Sequence, residues 1–145
     1  MGFEKKSRPM ASAYRADSQT ITTAQVTYVS WTDQLYDTDA MFTPTDTKIY
    51  AKRFTGYYLI NGQVAWSSNT TGIRIVWIDV NGTQLATMDQ TPVNGSNTRM
   101  NLSMMRYLNI DDYVRLGVYH TRGANLDVTG VDGQTYLTVA HLSGR

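Results

Sequence analysis

Two adjacent aspartates, Asp111 and Asp112, open the stretch NIDDYVRLGVYH and are the side chains in this sequence best spaced to do chemistry. Neighbouring carboxylates at the mouth of a strand can share a proton, hold a hard cation, or accept backbone N–H groups across a turn. Acid–base work needs a cleft that drives the two pKa values apart, and no glutamate-rich or aromatic cleft pattern accompanies them. Calcium held at the loop tips by Asp111, Asp127 and Asp132 would lack the spacing of a helix–loop–helix calcium loop. The turn is the stronger reading, with Asp112 accepting N–H bonds across it and Asp111 in a backbone conformation that many residues avoid.

The other reactive types are sparse. His120 and His141 are two imidazoles with no HExxH pattern and too few ligands for zinc, so packed or half-exposed histidines are expected. Ser103 and Ser143 lie in no Gly-x-Ser-x-Gly elbow, and the chain has no cysteine. No catalytic residue, cofactor site or metal site is assigned. Met100, Met104 and Met105 suit adaptable core or interface filling. Trp31, Tyr36 and Tyr107 are candidates either for stacking on sugars or for packing between subunits.

The elements that carry these residues are strands. Eleven of the twelve acids are aspartate, only Glu4 is glutamate, and threonine is abundant, a composition that suits strands and turns over helices. QTITTAQVTYVSW reads as one strand from Gln19 to Trp31. TDQLYDTDAMFTPTDT reads as a connection that ends on an apolar anchor at Met41 and Phe42. Further strands are expected at 48–54, 56–67, 73–80, 85–91, 99–108, 113–121, 126–129 and 135–142. The strongest local signal is VNGT at 80–83, where Asn81 and Gly82 suit a two-residue hairpin. The fold class is therefore all-β, a sandwich or barrel of short antiparallel strands.

Residues 1–18 look different and are expected to form an extended basic arm, with 19–145 as the domain. Lys5, Lys6, Arg8 and Arg15 face only Glu4 and Asp17 over the first seventeen residues, whereas the whole chain is at +1. That overall balance gives no case for nucleic acid, and no apolar run is long enough to span a membrane. Phe3 and Met10 would serve the arm as apolar pegs beside Lys5, Lys6 and Arg8.

Taken in order, the segments resemble the complement-1q/tumour-necrosis-factor jelly roll, particularly the stand-alone versions in structural proteins of tailed bacteriophages. LYDTDAMFTP is similar to the segment before the first long core strand in the phage versions. GYYLINGQVAW is similar to the Gly-x-Tyr-x-aromatic strand, with Gly56 and Tyr58 fitting and Ile60 where an aromatic is usual. VNGT matches the central hairpin. LNIDDYVRLGVY is similar to the Leu-x-x-Gly-Asp-x-Val-x-Leu-x-Val run, with Asp111 replacing the glycine, and TYLTVAHLSG resembles the closing strand.

The resemblance implies about ten antiparallel strands and a compact homotrimer. The residues point the same way: 56–66 and 73–80 are apolar on both sides, and a second apolar side needs a second cover. Tyr57, Leu59 and Ala65, with Val76 and Ile78, are the candidate trimer interface. The expected function is a non-enzymatic virion structural protein. Its most concrete form is a trimeric capsid decoration (cement) protein of a tailed phage, made in the host cytoplasm and mounted on the capsid surface. The arm would grip the major capsid protein or another virion protein. The alternative is a receptor- or carbohydrate-binding module of a tail or head fibre, with a host-surface glycan as partner.

Overall fold

The structure, a computed structural model, describes residues 7–144. Twelve strands and no helix occur among them: β1 (Met10–Tyr14), β2 (Gln19–Ile21), β3 (Thr27–Tyr28), β4 (Asp33–Asp37), β5 (Ile49–Tyr50), β6 (Gly56–Trp66), β7 (Arg74–Val80), β8 (Thr83–Gln90), β9 (Thr98–Leu108), β10 (Tyr113–His120), β11 (Leu126–Val128) and β12 (Tyr136–Ser143). They make two antiparallel sheets. The larger runs β2-β11-β6-β12-β1-β4 with β9 on the other edge of β6, and the smaller runs β3-β10-β7-β8 with β5 beside β10.

The core lies between the sheets and follows from alternation. In β6, Tyr58, Ile60, Val64 and Trp66 point inward, and in β10 and β7 Val114, Leu116, Val118, Val76 and Ile78 meet them. At β7–β8, Asn81 and Gly82 take φ of 52° and 84°, the left-handed conformation that a two-residue hairpin requires. Asp79 Oδ1 accepts the Gly82 N–H at 3.1 Å, and Asn81 Oδ1 accepts the Tyr113 N–H at 3.0 Å, which ties the hairpin tip to β10.

Three parts of the N-terminal third differ from the sequence reading. Residues 10–14 are not arm but β1, hydrogen-bonded between β12 and β4 inside the larger sheet. Ala11 and Ala13 are fully buried there, and such small side chains give little hydrophobic signal. The 19–31 segment is two short strands on different sheets, because the chain turns over at Ala24 (φ 55°) as it crosses the sandwich. The connection after Trp31 contains β4, an edge strand mostly open to solvent. Its last residue, Asp37, accepts the N–H groups of Met41 and Phe42 at 2.8 and 3.2 Å and so sets the buried anchor.

Candidate assembly surface

The outward residues of β6 begin an exposed apolar row on the larger sheet. Tyr57 faces Tyr107 of β9, with rings 5.3 Å apart and nearly perpendicular. One step along, Leu59 lies between Met105 on β9 and Ala140 on β12, and Ala140 in turn faces Met10 on β1. Tyr57 is 40% exposed, Leu59 41%, Tyr107 45% and Met105 59%, so this row is contiguous, apolar and open. The next rows are polar. Asn61 and Ser103 face each other, and the Asn101 amide donates to the Tyr136 hydroxyl at 3.1 Å. Gln63 donates to the carbonyls of Gly133 and Gln134 at 3.1 and 2.9 Å. The face thus grades from apolar at the Gly56 end to amide-rich toward Trp66.

Other members of the expected interface fall elsewhere. Val76 and Ile78 are buried in the protein's own core, 1% and 0% exposed, and have no surface to offer a partner. Ala65 is also fully buried; Thr129 donates to its carbonyl through both N–H and hydroxyl, and its N–H reaches the Thr135 hydroxyl. The outward residues of β7 are Ile75, Trp77 and Asp79, and the chain covers the large one, Trp77, by itself. Its indole lies against Gly117, where an added Cβ would sit 2.0 Å from Trp77 Cε2, and Tyr28 meets it edge-on at 6.4 Å. Arg115 stacks over Tyr28 at 3.5 Å while its Nε donates to the buried Asp79 at 2.9 Å. Beyond it, Lys48 sits 4.5 Å from the Tyr113 ring, which is edge-on to Tyr50. This alternation of rings and cations covers the second face of β7 around Trp77 without a second molecule, while Ile75 stays half-buried.

Asp111 and Asp112 are spent on a turn. Asp112 Oδ2 accepts the Asn109 N–H at 2.7 Å; Asp111, at φ 73°, pairs with Lys52 at 2.6 Å. Asp111, Asp127 and Asp132 are not gathered, and among the described residues no three acidic, histidine or cysteine side chains are placed to hold a metal ion. Trp31, a candidate surface aromatic, is instead fully buried with its indole N–H on the Thr47 carbonyl. Tyr36 and Tyr107 are exposed.

His120 is fully buried. Its Nε2 donates to the Ile21 carbonyl at 2.8 Å and its Nδ1 accepts the Arg122 N–H, a pairing that suits the neutral ring. Burial lowers its pKa, the Ile21 bond opposes this, and the charges of Arg74 and Arg122 lower it further. His141 lies against Tyr58 and Phe54, its Nε2 3.3 Å from the Thr55 carbonyl.

Of the expected anchoring arm, Phe3, Lys5 and Lys6 lie outside the described residues. Arg8 is exposed, but Met10 is a strand residue and not a free peg. Where the chain enters β1 it is held firmly. Arg53 donates to the Ser7 carbonyl and pairs with Asp39 at 2.7 Å, and the His141 N–H donates to the Pro9 carbonyl at 2.9 Å. The Arg53 hydrogen bond holds the Asp39 carboxyl below the usual carboxylate range, against the opposing effect of burial. The anchoring by Arg53 was not foreseen, since nothing local in the sequence links residues 7, 39 and 53.

No protein-family model matches the chain, and no curated protein matches it in sequence. Solved structures do match in shape. The globular domain of zebrafish complement 1qA protein superposes with a TM-score of 0.70 at 12% identity, covering 95% of this chain and 100% of that one. The Eiger TNF of S. frugiperda gives 0.68 at 12% identity, covering 97% and 96%, and murine APRIL gives 0.69 at 15%, covering 93% and 99%. At such identities the likeness is one of fold, and the chain folds as a jelly roll of the complement-1q/tumour-necrosis-factor type.

Proposed function

We propose that this chain is a non-catalytic homotrimeric building block that assembles through the outward face of β4-β1-β12-β6-β9. One observation carries the reading: Tyr57, Leu59, Met105 and Tyr107 form an open apolar row on a sheet whose other side already holds the core. Exposed contiguous apolar surface of this kind is expensive in water and is ordinarily covered by a partner. The threefold arrangement is what the family resemblance implies, and the neighbours in shape, a complement 1q domain and two tumour-necrosis-factor-type proteins, support a binding module over an enzyme.

Within that reading, the role is decoration of a tailed-phage capsid, supported by the resemblance to phage jelly rolls and by the cations Lys5, Lys6 and Arg8 ahead of β1. A trimer would present three such segments to the shell, and linked contacts multiply avidity. Binding to naked capsids tests this. Truncation should stop before Ser7, because removal of residues 7–14 takes away the carbonyls held by Arg53 and His141 and then β1 itself. Saturable binding lost on deleting residues 1–6 supports decoration; binding unchanged by the deletion rules out the tether.

A second reading, recognition of a host-surface glycan, draws on the partly exposed rings of Tyr28, Tyr50 and Tyr113 interleaved with Lys48 and Arg115 on the smaller sheet. A glycan array on the isolated protein, with hits lost in Tyr113→Ala, would favour it.

A further inference from the structure

At the Trp66 end of β6, away from Ser7 and Gly144, a guanidinium is buried without a carboxylate. Arg74 opens β7 with no solvent exposure, and its Nη atoms donate to carbonyls, Nη1 to Thr71 at 2.8 Å and Nη2 to Asn69 at 3.2 Å. Its Nε–H has no acceptor among the described residues. The four ion pairs among the described residues involve Arg15, Lys52, Arg53 and Arg115, not Arg74. Beside it is Trp66, also fully buried, whose indole Nε1–H is likewise unpartnered. The guanidinium carbon lies 5.9 Å from the Trp66 ring centroid, so the two orphaned donors sit on neighbouring side chains.

The one charge that registers at Arg74 is positive, that of Arg122. His120 is edge-on to Trp66 at 5.5 Å, with both ring nitrogens already engaged, so it supplies no acceptor. Burial, and then the charge of Arg122, both push the Arg74 pKa down, which marks the site as short of a counter-charge. A buried cation held only by the neutral oxygens of Asn69, Thr71 and Ile73, and two buried N–H groups without acceptors, have a common remedy, an acceptor that carries negative charge. Water would satisfy a donor and leave the charge uncompensated.

We propose that Arg74 and Trp66 form a binding site for a small monovalent inorganic anion of the halide class, with Arg74 Nε–H and Trp66 Nε1–H as its donors. The anion stabilises the Trp66 end of the sandwich, where β6, β7 and β10 come together.

Thermal unfolding of the full chain in sodium chloride, against sodium gluconate at equal ionic strength, reads this directly. Chloride raises the midpoint with the logarithm of its concentration above its dissociation constant, and at ten times that constant it shifts the folding equilibrium about elevenfold. Trp66→Phe keeps the ring, removes one donor and weakens the chloride response. Superimposable chloride and gluconate curves would overturn the site. Should Trp66→Phe fail to fold, crystals of the unaltered protein soaked in bromide decide: an anomalous peak beside Arg74 Nε and Trp66 Nε1 supports the site, and only water density there, or none, refutes it.

Discussion

Asp112 shows how much a single carboxylate does in this molecule. Its side chain accepts the Asn109 N–H, while its carbonyl accepts the Ala51 N–H at 2.8 Å and so joins the turn to the segment after β5. Asp112→Ala removes only the side-chain bond and should cost about 1 kcal/mol, read as a lower melting temperature with no change in assembly. Asn81→Val should cost more, roughly 1–3 kcal/mol, since a β-branched residue resists φ near 52° and the bond to Tyr113 is lost as well. An unaltered melt would mean that the hairpin tip tolerates another conformation. His120 sets a pH dependence. Its folded pKa lies below the ordinary 6.5, so the unfolded chain takes up a proton that the folded chain refuses. Stability is therefore complete above the unfolded pKa and declines as pH falls below about 6.5. Melting curves on acidification should show this fall, and it should be smaller in His120→Gln.

Strands that alternate over eight residues or more were legible in the sequence, because each carries its own pattern. β6, β9, β10 and β12 lie within a residue or two of where alternation puts them. β1 and β4 were not legible: one is built around Ala-Ser-Ala and the other, DQLYD, is a short exposed edge without alternation, so both owe their state to pairing with distant strands. The candidate surface divides in the same way. Alternation alone points Tyr57 and Leu59 outward. It cannot say which side of β7 faces in, because Val76 and Trp77 are both apolar. That choice rests on Gly117 and Tyr28, on neighbouring strands, which make room for the indole and cover it. Gly117→Ala tests this seal. The methyl must displace Trp77, at a cost of roughly 1–3 kcal/mol, and the tryptophan emission should shift to the red as the indole meets water. Unchanged emission and an unchanged melt would show that the indole has another place to go.

At the scale of the whole fold, the described residues largely cover one sheet face with their own side chains and leave the other open. Trp77, Arg115, Tyr28 and Asp79 seal much of the smaller sheet, whereas the larger sheet leaves the row from Met105 through Leu59 toward Met10 uncovered. The proposed self-association rests on that asymmetry, and with it the wider proposal of a structural, non-catalytic role. Sedimentation equilibrium at micromolar concentration is the most direct test. The account predicts a mass near 49 kDa, three times the 16.3 kDa chain, falling to a folded single chain when Leu59 and Met105 are both replaced by aspartate. A stable 16.3 kDa species for the unaltered protein would contradict it.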